Sequence, residues 1–130
     1  MSGYLGSLIS NELISRGHKA EPIPRNLLFG EISLLKKHIE GADVIIHLSG
    51  SPILTRWSEK NRREIYDSRI QSTKNLVEAI KMLEPGKRPR KFIQASAIGI
   101  YKPGKIHNED SADFETGFIG VVATDWENAS

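Results

Sequence analysis

The sequence contains no cysteine, which excludes a disulfide framework and any thiolate metal site. It also lacks an apolar run near the ~18 residues that a membrane span requires, and it opens without a signal-peptide pattern. Strong net charge is missing too: 18 Lys and Arg against 16 Asp and Glu leave only +2. Such a balance gives no field that would favour nucleic acid or an anionic membrane. These absences point to a soluble, cytoplasmic protein. What is present is 130 residues, 38% hydrophobic and 26% charged, enough for one domain burying roughly two-thirds of its unfolded surface.

Periodicity divides the chain into alternating elements. Leu5, Leu8, Ile9, Leu13 and Ile14 recur at helical spacing until Arg16 and Gly17 stop the pattern. "HKAEPIP" (18–24) reads as a short edge-like strand, because each proline disfavours helix in the residue before it. Ser33 to Glu40 reads as a short helix capped by Ser33 and ended by Gly41. In "ADVIIHLSG", Val44, Ile45, Ile46 and Leu48 form the continuous run of a strand buried on both faces. A long helix is expected from the N-cap Ser58 to about Leu83, with Tyr66, Ile70, Thr73, Val77 and Ile80 along its apolar stripe. "EPGKRPRK" breaks it, "KFIQASAIGIY" is the next strand, and a last helix covers Gly117 to Asn128 with Ile119, Val122 and Trp126 inward. Helices alternating with strands predict an α/β fold with a parallel sheet.

Such sheets bind ligands beyond the carboxyl ends of their strands. Four small-residue stretches fall at that edge: "SGYLGS", the Pro24-Arg25 turn, "HLSGSP" and "ASAIGIY". In the first, Gly3, Tyr4, Leu5 and Gly6 open a helix, where free amides and the helix dipole stabilise a pyrophosphate. A small-residue tail ahead of a helix is the alternative. Leu48, Ser49 and Gly50 after one strand, and Ala95 and Ser96 after the other, would line the same cleft. Arg25 stands where an acidic residue would bind a ribose hydroxyl, and its forked guanidinium suits a 2′-phosphate instead. This favours NADP over NAD, with a plain surface arginine as the alternative. Glu21 comes too early to serve the ribose.

Several segments carry a family resemblance. "SGYLG" resembles the last two glycines of the TGxxGxxG loop of extended short-chain dehydrogenases/reductases. "ADVIIHLSG" is similar to their DxVxHLAG strand, and "STKNLVEA" to their GTxNLLEA helix. "RW", "SRIQST" and the terminal "DWENAS" resemble one atypical branch, the epimerase-like proteins also described as sugar-nucleotide epimerases or cell-division-inhibitor-like. The resemblance implies a Rossmann-like doubly wound parallel sheet, a dinucleotide cofactor, a nucleotide sugar or similar small-molecule substrate, and an option of a homodimer. It also implies that a first glycine and its strand would precede Met1, and a C-terminal substrate portion would follow Ser130. Residues 1–130 thus read as an NAD(P)-binding domain incomplete at both ends.

Catalysis is where the chain departs from the superfamily. Active members use a Tyr-x-x-x-Lys pair with a serine, the lysine easing ionisation of the phenol. Matching "DWE" to the glutamate after that pair puts Ile119 and Ala123 at the two positions, and the serine position falls on Ala97, one place from Ser96. Tyr101 to Lys105 spells the motif literally, but Pro103 and Gly104 break the helix turn it needs. Tyr101 and Ser96 remain as the catalytic candidates, with simple packing the other reading of Tyr101. Arg69, where the superfamily usually has asparagine, could bind a cofactor phosphate or an anionic substrate, or form a surface ion pair with Glu64 or Asp67. Arg56-Trp57 either covers the cleft or packs. His47 packs or touches the cofactor through its backbone, and His18, His38 and His107 read as surface residues, with no metal-ligand spacing. Lys87, Arg88, Arg90 and Lys91 lack interleaved aromatics and read as a solvated turn, not a nucleic-acid site. Two functions follow: an NADP-dependent epimerase or oxidoreductase with a nonstandard proton donor, or a dinucleotide-binding sensor that has lost catalysis.

Overall fold

The structure, a computed structural model, describes residues 3–130. Helix α1 spans Tyr4–Ser15 and ends where Gly17 adopts φ +83°, a left-handed geometry that glycine tolerates without a Cβ penalty. Of α1 only Ser10 is buried, while Leu5, Leu8 and Ile14 remain exposed.

No strand forms over residues 18–24, contrary to the expectation from their prolines. Pro22 and Pro24 have no amide donor for a ladder, and the segment is held instead by Ile23 packing on the core and by His38 Nε2 donating to the Pro22 carbonyl at 3.2 Å. His38 is therefore half-buried rather than a surface residue. Arg25 consequently opens a short helix, α2 (Arg25–Leu28), instead of ending a strand. Helix α3 (Ile32–Ile39) has Glu31 at its N-cap, and Ser33 donates to the Glu31 carboxylate, so the expected Ser33 cap is not made.

Strands β1 (Val44–His47) and β2 (Lys91–Gln94) pair in parallel, from Val44 opposite Lys91 to His47 opposite Gln94. The ladder continues at both ends, through Arg90 N to Asp43 O at 2.8 Å and Ala95 N to His47 O at 3.0 Å. β1 is not buried on both faces as its apolar run suggests: Ile45 and His47 are buried, but Val44 is 42% exposed. Alternate residues of a strand face opposite sides, and only the Ile45 side is covered, by Leu35 and Ile39 of α3 and by Leu76 and Ala79 of the long helix.

That long helix, α4 (Glu59–Lys81), starts as its sequence predicts, with Ser58 Oγ accepting from Asn61 N at 3.3 Å. Its buried face includes Ile70 and Thr73 of the expected stripe, and is widened by Ile65, Ser68, Ser72, Leu76 and Ala79, while Tyr66, Val77 and Ile80 are only half-buried. Ser72 Oγ reaches His47 Nε2 of β1 at 3.0 Å, and the buried hydroxyls are satisfied within the helix: Ser68 donates to Ile65 O at 3.0 Å, Ser72 to Ser68 O at 2.7 Å. Helix α5 (Phe118–Asn128) follows Gly117, close to expectation. Two clusters make the core, one around Leu35, Ile45 and Leu76, the other around Ile65, Ile70, Val122 and Trp126. α4 contributes to both.

At the amino ends of the strands the basic run is tied down. Lys87 pairs with Glu40 at 2.8 Å and Arg90 with Asp43 at 3.2 Å, and Arg88 donates to the Leu83 and Lys81 carbonyls. No helix among the described residues is long and apolar enough to cross a membrane.

Candidate dinucleotide cleft at the carboxyl ends of the strands

Because β1 and β2 are parallel and in register, the segments leaving them emerge side by side. After β1, Leu48 and Ser49 are half-buried, Gly50 is exposed and Ser51 is buried. Ser51 locks this turn onto α4. Its amide donates to Ser68 Oγ at 2.9 Å, its hydroxyl donates to Glu64 Oε1 at 3.2 Å, and its carbonyl accepts from Arg69 Nη1 at 3.1 Å.

Arg69 is the charged centre of this end. Nη1 also donates to Ile65 O at 3.1 Å, and the guanidinium lies 5.3 Å from the Trp126 ring centroid. A Cβ added at Gly50 would come within 2.8 Å of the Arg69 Cζ, so glycine there makes room for the guanidinium. Among the described residues no carboxylate forms an ion pair with Arg69, which overturns the pairing with Glu64 or Asp67. Its pKa is pushed down by burial, the mark of a cation that has lost hydration without gaining a counter-ion.

Beneath the turn, His47 is buried with Nε2 3.0 Å from Ser72 Oγ, and its ring stacks on Phe92. Burial lowers its pKa to about 4, opposed only in part by a hydrogen bond to the Arg69 backbone. It is a packed, neutral residue at pH 7.

After β2, Ala95 is half-buried and Ser96 exposed, with Ser96 Oγ donating to the Glu127 carboxylate. Gln94 Nε2 donates to Trp126 O at 2.7 Å. A 3-10 turn at Ile98–Ile100 then packs on α5, where Ile119 Cγ2 would lie 2.6 Å from a Cβ at Gly99 and Ala123 is 2% exposed. The two positions matched to the missing Tyr-Lys pair are thus filled with apolar packing.

Tyr101 bridges to Phe114 and stacks on His107, ring centroids 4.8 Å apart. His107 is therefore half-buried and engaged, with Nε2 donating to Lys102 O at 2.7 Å, rather than a surface residue. Lys102 and Lys105 both pair with Asp113, and Gly104 takes φ +82°, so Tyr101 and Lys105 share no helix turn. The hydrogen bonds from Lys102 and Lys105 hold the Asp113 carboxyl down at about 2.

At the start of α1, Gly3 is the N-cap and offers no capping side chain; its carbonyl accepts from Ser7 N at 2.9 Å. Tyr4 and Leu5 are exposed and Gly6 half-buried. Ser2 of the "SGYLGS" stretch lies outside the described residues. Arg25 is exposed, unpaired with any described carboxylate, and its guanidinium lies 5.1 Å from the Phe29 centroid. Trp57 packs edge-on against Phe118 at 5.6 Å with Arg62 over both rings, and its Nε1 donates to Ile53 O.

Sequence reasoning missed what "DWE" does. Asp125 accepts from Tyr66 OH at 2.8 Å, Trp126 underlies Arg69, and Glu127 takes Ser96. The spacing on one helix was the only available signal, since the partners stand 59 and 31 residues away. No group of three or more His, Asp or Glu among the described residues is placed to hold a metal.

Comparison with known proteins bears on this arrangement. The epimerase family protein YfhF of Bacillus subtilis is 33% identical over 140 residues, covering 97% of this chain and 46% of its own length. Mouse epimerase family protein SDR39U1 is 30% identical, covering 99% of this chain and 46% of its own. The crystal structure of human SDR39U1 (isoform 2) with NADPH superimposes with TM-score 0.79 at 26% identity, covering 98% of this chain and 45% of that one. MoeE5 in complex with UDP-glucose and NAD shares the fold, with TM-score 0.75 at 19% identity. The chain spans about half the length of the curated relatives it matches. Residues 1–119 match the NAD dependent epimerase/dehydratase family, and the chain belongs to that family.

Proposed function

We propose that residues 1–130 supply the dinucleotide-binding part of an NADP-using epimerase-like protein that acts on a nucleotide sugar or similar small molecule. The observation that carries this reading is the emergence of two turns, Leu48–Ser51 and Ala95–Ala97, from adjacent ends of parallel strands. This is the place where open α/β sheets bind ligands. Human SDR39U1, whose fold the chain shares, was crystallised with NADPH.

The residues fit a dinucleotide. Space around Gly3 is open, with nothing within 4 Å of an added Cβ, so a phosphate can reach the first amides of α1. Gly3, Tyr4, Leu5 and Gly6 would hold the pyrophosphate. Leu48, Ser49, Gly50, Ala95 and Ser96 would border the rest of the cofactor. Arg25, free of any described carboxylate and backed by Phe29, would take a 2′-phosphate. Nicotinamide supplies hydride transfer when bound. This chain's own residues would bind, orient and exclude water; Ile119 and Ala123 have no ionisable proton, which leaves Tyr101 and Ser96 as the groups that could move one.

The apolar filling of those two positions favours a second reading, in which the protein binds dinucleotide as a sensor without turnover. Measuring hydride exchange between NADPH and a panel of nucleotide sugars separates the two: NADPH binding with no exchange leaves the sensor. Arg25→Glu tests the cofactor. It should weaken NADPH binding about tenfold or more while changing NADH binding little, as loss of a charge-assisted phosphate contact predicts. An equal loss for both would remove the NADP assignment.

A further inference from the structure

The cation at Arg69 is half-buried, has no described carboxylate partner, and is positioned from three sides. Ser51 O and Ile65 O fix Nη1, Trp126 covers one face, and Gly50 leaves the space the group occupies. Holding a guanidinium this way removes hydration that neutral carbonyls replace only in part. Nη1 commits its protons to the two carbonyls, which leaves the Nε–Nη2 edge without a described partner. The only buried side-chain polar atoms lacking a partner among the described residues are Gln94 Oε1 and Trp126 Nε1, so that edge keeps access to solvent. A fork of two parallel N–H groups matches two oxygens of one carboxylate or phosphate.

We propose that Arg69 is an oxyanion receptor at the carboxyl end of β1, binding two oxygens of a single carboxylate or phosphate on its Nε–Nη2 edge. The proposal deepens the dinucleotide reading and rests on it only for the source of the anion, which is either a cofactor phosphate or an acidic group on a second small molecule. Gly50 then matters less for close approach of a ligand than for the placement of this guanidinium. Trp126 lies against the receptor and can report on it.

The chain has two tryptophans, so a Trp57→Phe background makes Trp126 the sole indole reporter. Inorganic pyrophosphate and glucuronate are titrated into the protein, each with and without saturating NADPH, while Trp126 emission is followed. The expected result is a saturable response to at least one of them, weakened about tenfold in Arg69→Gln and less in Arg69→Lys, which keeps the charge but loses the fork. Loss of the response when NADPH is present assigns the anion to the dinucleotide. Persistence assigns it to a second molecule. No response to either probe, or equal affinity in Arg69→Gln, overturns the proposal. If Arg69→Gln does not fold by circular dichroism, Gly50→Ala replaces it. The added methyl displaces the guanidinium and should weaken the response as well, and unchanged affinity there overturns the receptor. NADPH that does not bind, alongside an Arg69-dependent pyrophosphate response, removes the dinucleotide reading and leaves the receptor standing.

Discussion

His47 couples the core to pH. Its folded pKa is pushed down to about 4 by burial, against 6.5 in an ordinary environment. Between those values the unfolded chain binds a proton that the folded chain refuses, so stability is full above about pH 6.5 and falls as pH drops toward 4. The shift corresponds to roughly 3 kcal/mol at the lower end. Urea unfolding at pH 7 and pH 4.5 should show most of that loss, and His47→Gln should flatten it. An unchanged slope in the variant would place the titrating group elsewhere. Asp113 works in a lower window. Its carboxyl is held at about 2 by its lysine partners against 3.8 ordinarily, so what it contributes is present above pH 3.8 and is lost as pH falls through 2. The two effects therefore separate along the pH axis.

Among the elements, α5 depends on glycine at its first turn. A Cβ at Gly120 would sit 2.0 Å from the Glu115 carbonyl oxygen, a backbone atom that cannot swing aside, whereas a Cβ at Gly99 meets the Ile119 Cγ2 methyl at 2.6 Å, a side-chain atom that yields by a χ1 change or a small shift. Gly120→Ala should therefore destabilise by about 3 kcal/mol or more, and Gly99→Ala by about 1 kcal/mol. Denaturant midpoints of the two variants check the order, and a Gly120→Ala protein as stable as the parent would contradict this packing. The placement of α4 was legible from Ser58 and the apolar period, which also picks Ile70 and Thr73 of its inward face but not Ser68, Ser72 and Ala79. Periodicity favours large apolar residues, whereas Ser68 accepts from the Ser51 amide, Ser72 meets His47 of β1 and Ala79 joins the core cluster of Ile45, with both hydroxyls paired. Pro22 and Pro24 keep their segment out of helix, but an extended segment becomes a strand only when a neighbour accepts its ladder.

Across the whole molecule, order is concentrated in the half built on α4. Both core clusters draw on it, whereas α1 buries Ser10 alone and exposes Leu5, Leu8 and Ile14. Local opening follows the amount of buried apolar contact. Amide hydrogen exchange should accordingly be slowest in the middle of α4 and in β1, and faster throughout α1 despite its regular helical bonding. Comparable protection in both helices would show that α1 is held by contacts beyond those its burial suggests. Bound NADPH should slow exchange in α1 if its first turn grips the cofactor.

By itself the sequence determined the two parallel strands with a long helix between them, the Ser58 cap and the family. Each of these depends on local spacing, on glycine and proline stereochemistry, or on contiguous motifs. Tertiary structure alone decided the environment of Arg69, the neutral state of His47, the partners of Asp125 and Glu127, and the apolar seal at Ile119 and Ala123. Charge state and hydrogen-bond partners depend on what the fold brings together and shields from water, and residues far apart along the chain carry no record of that distance in space.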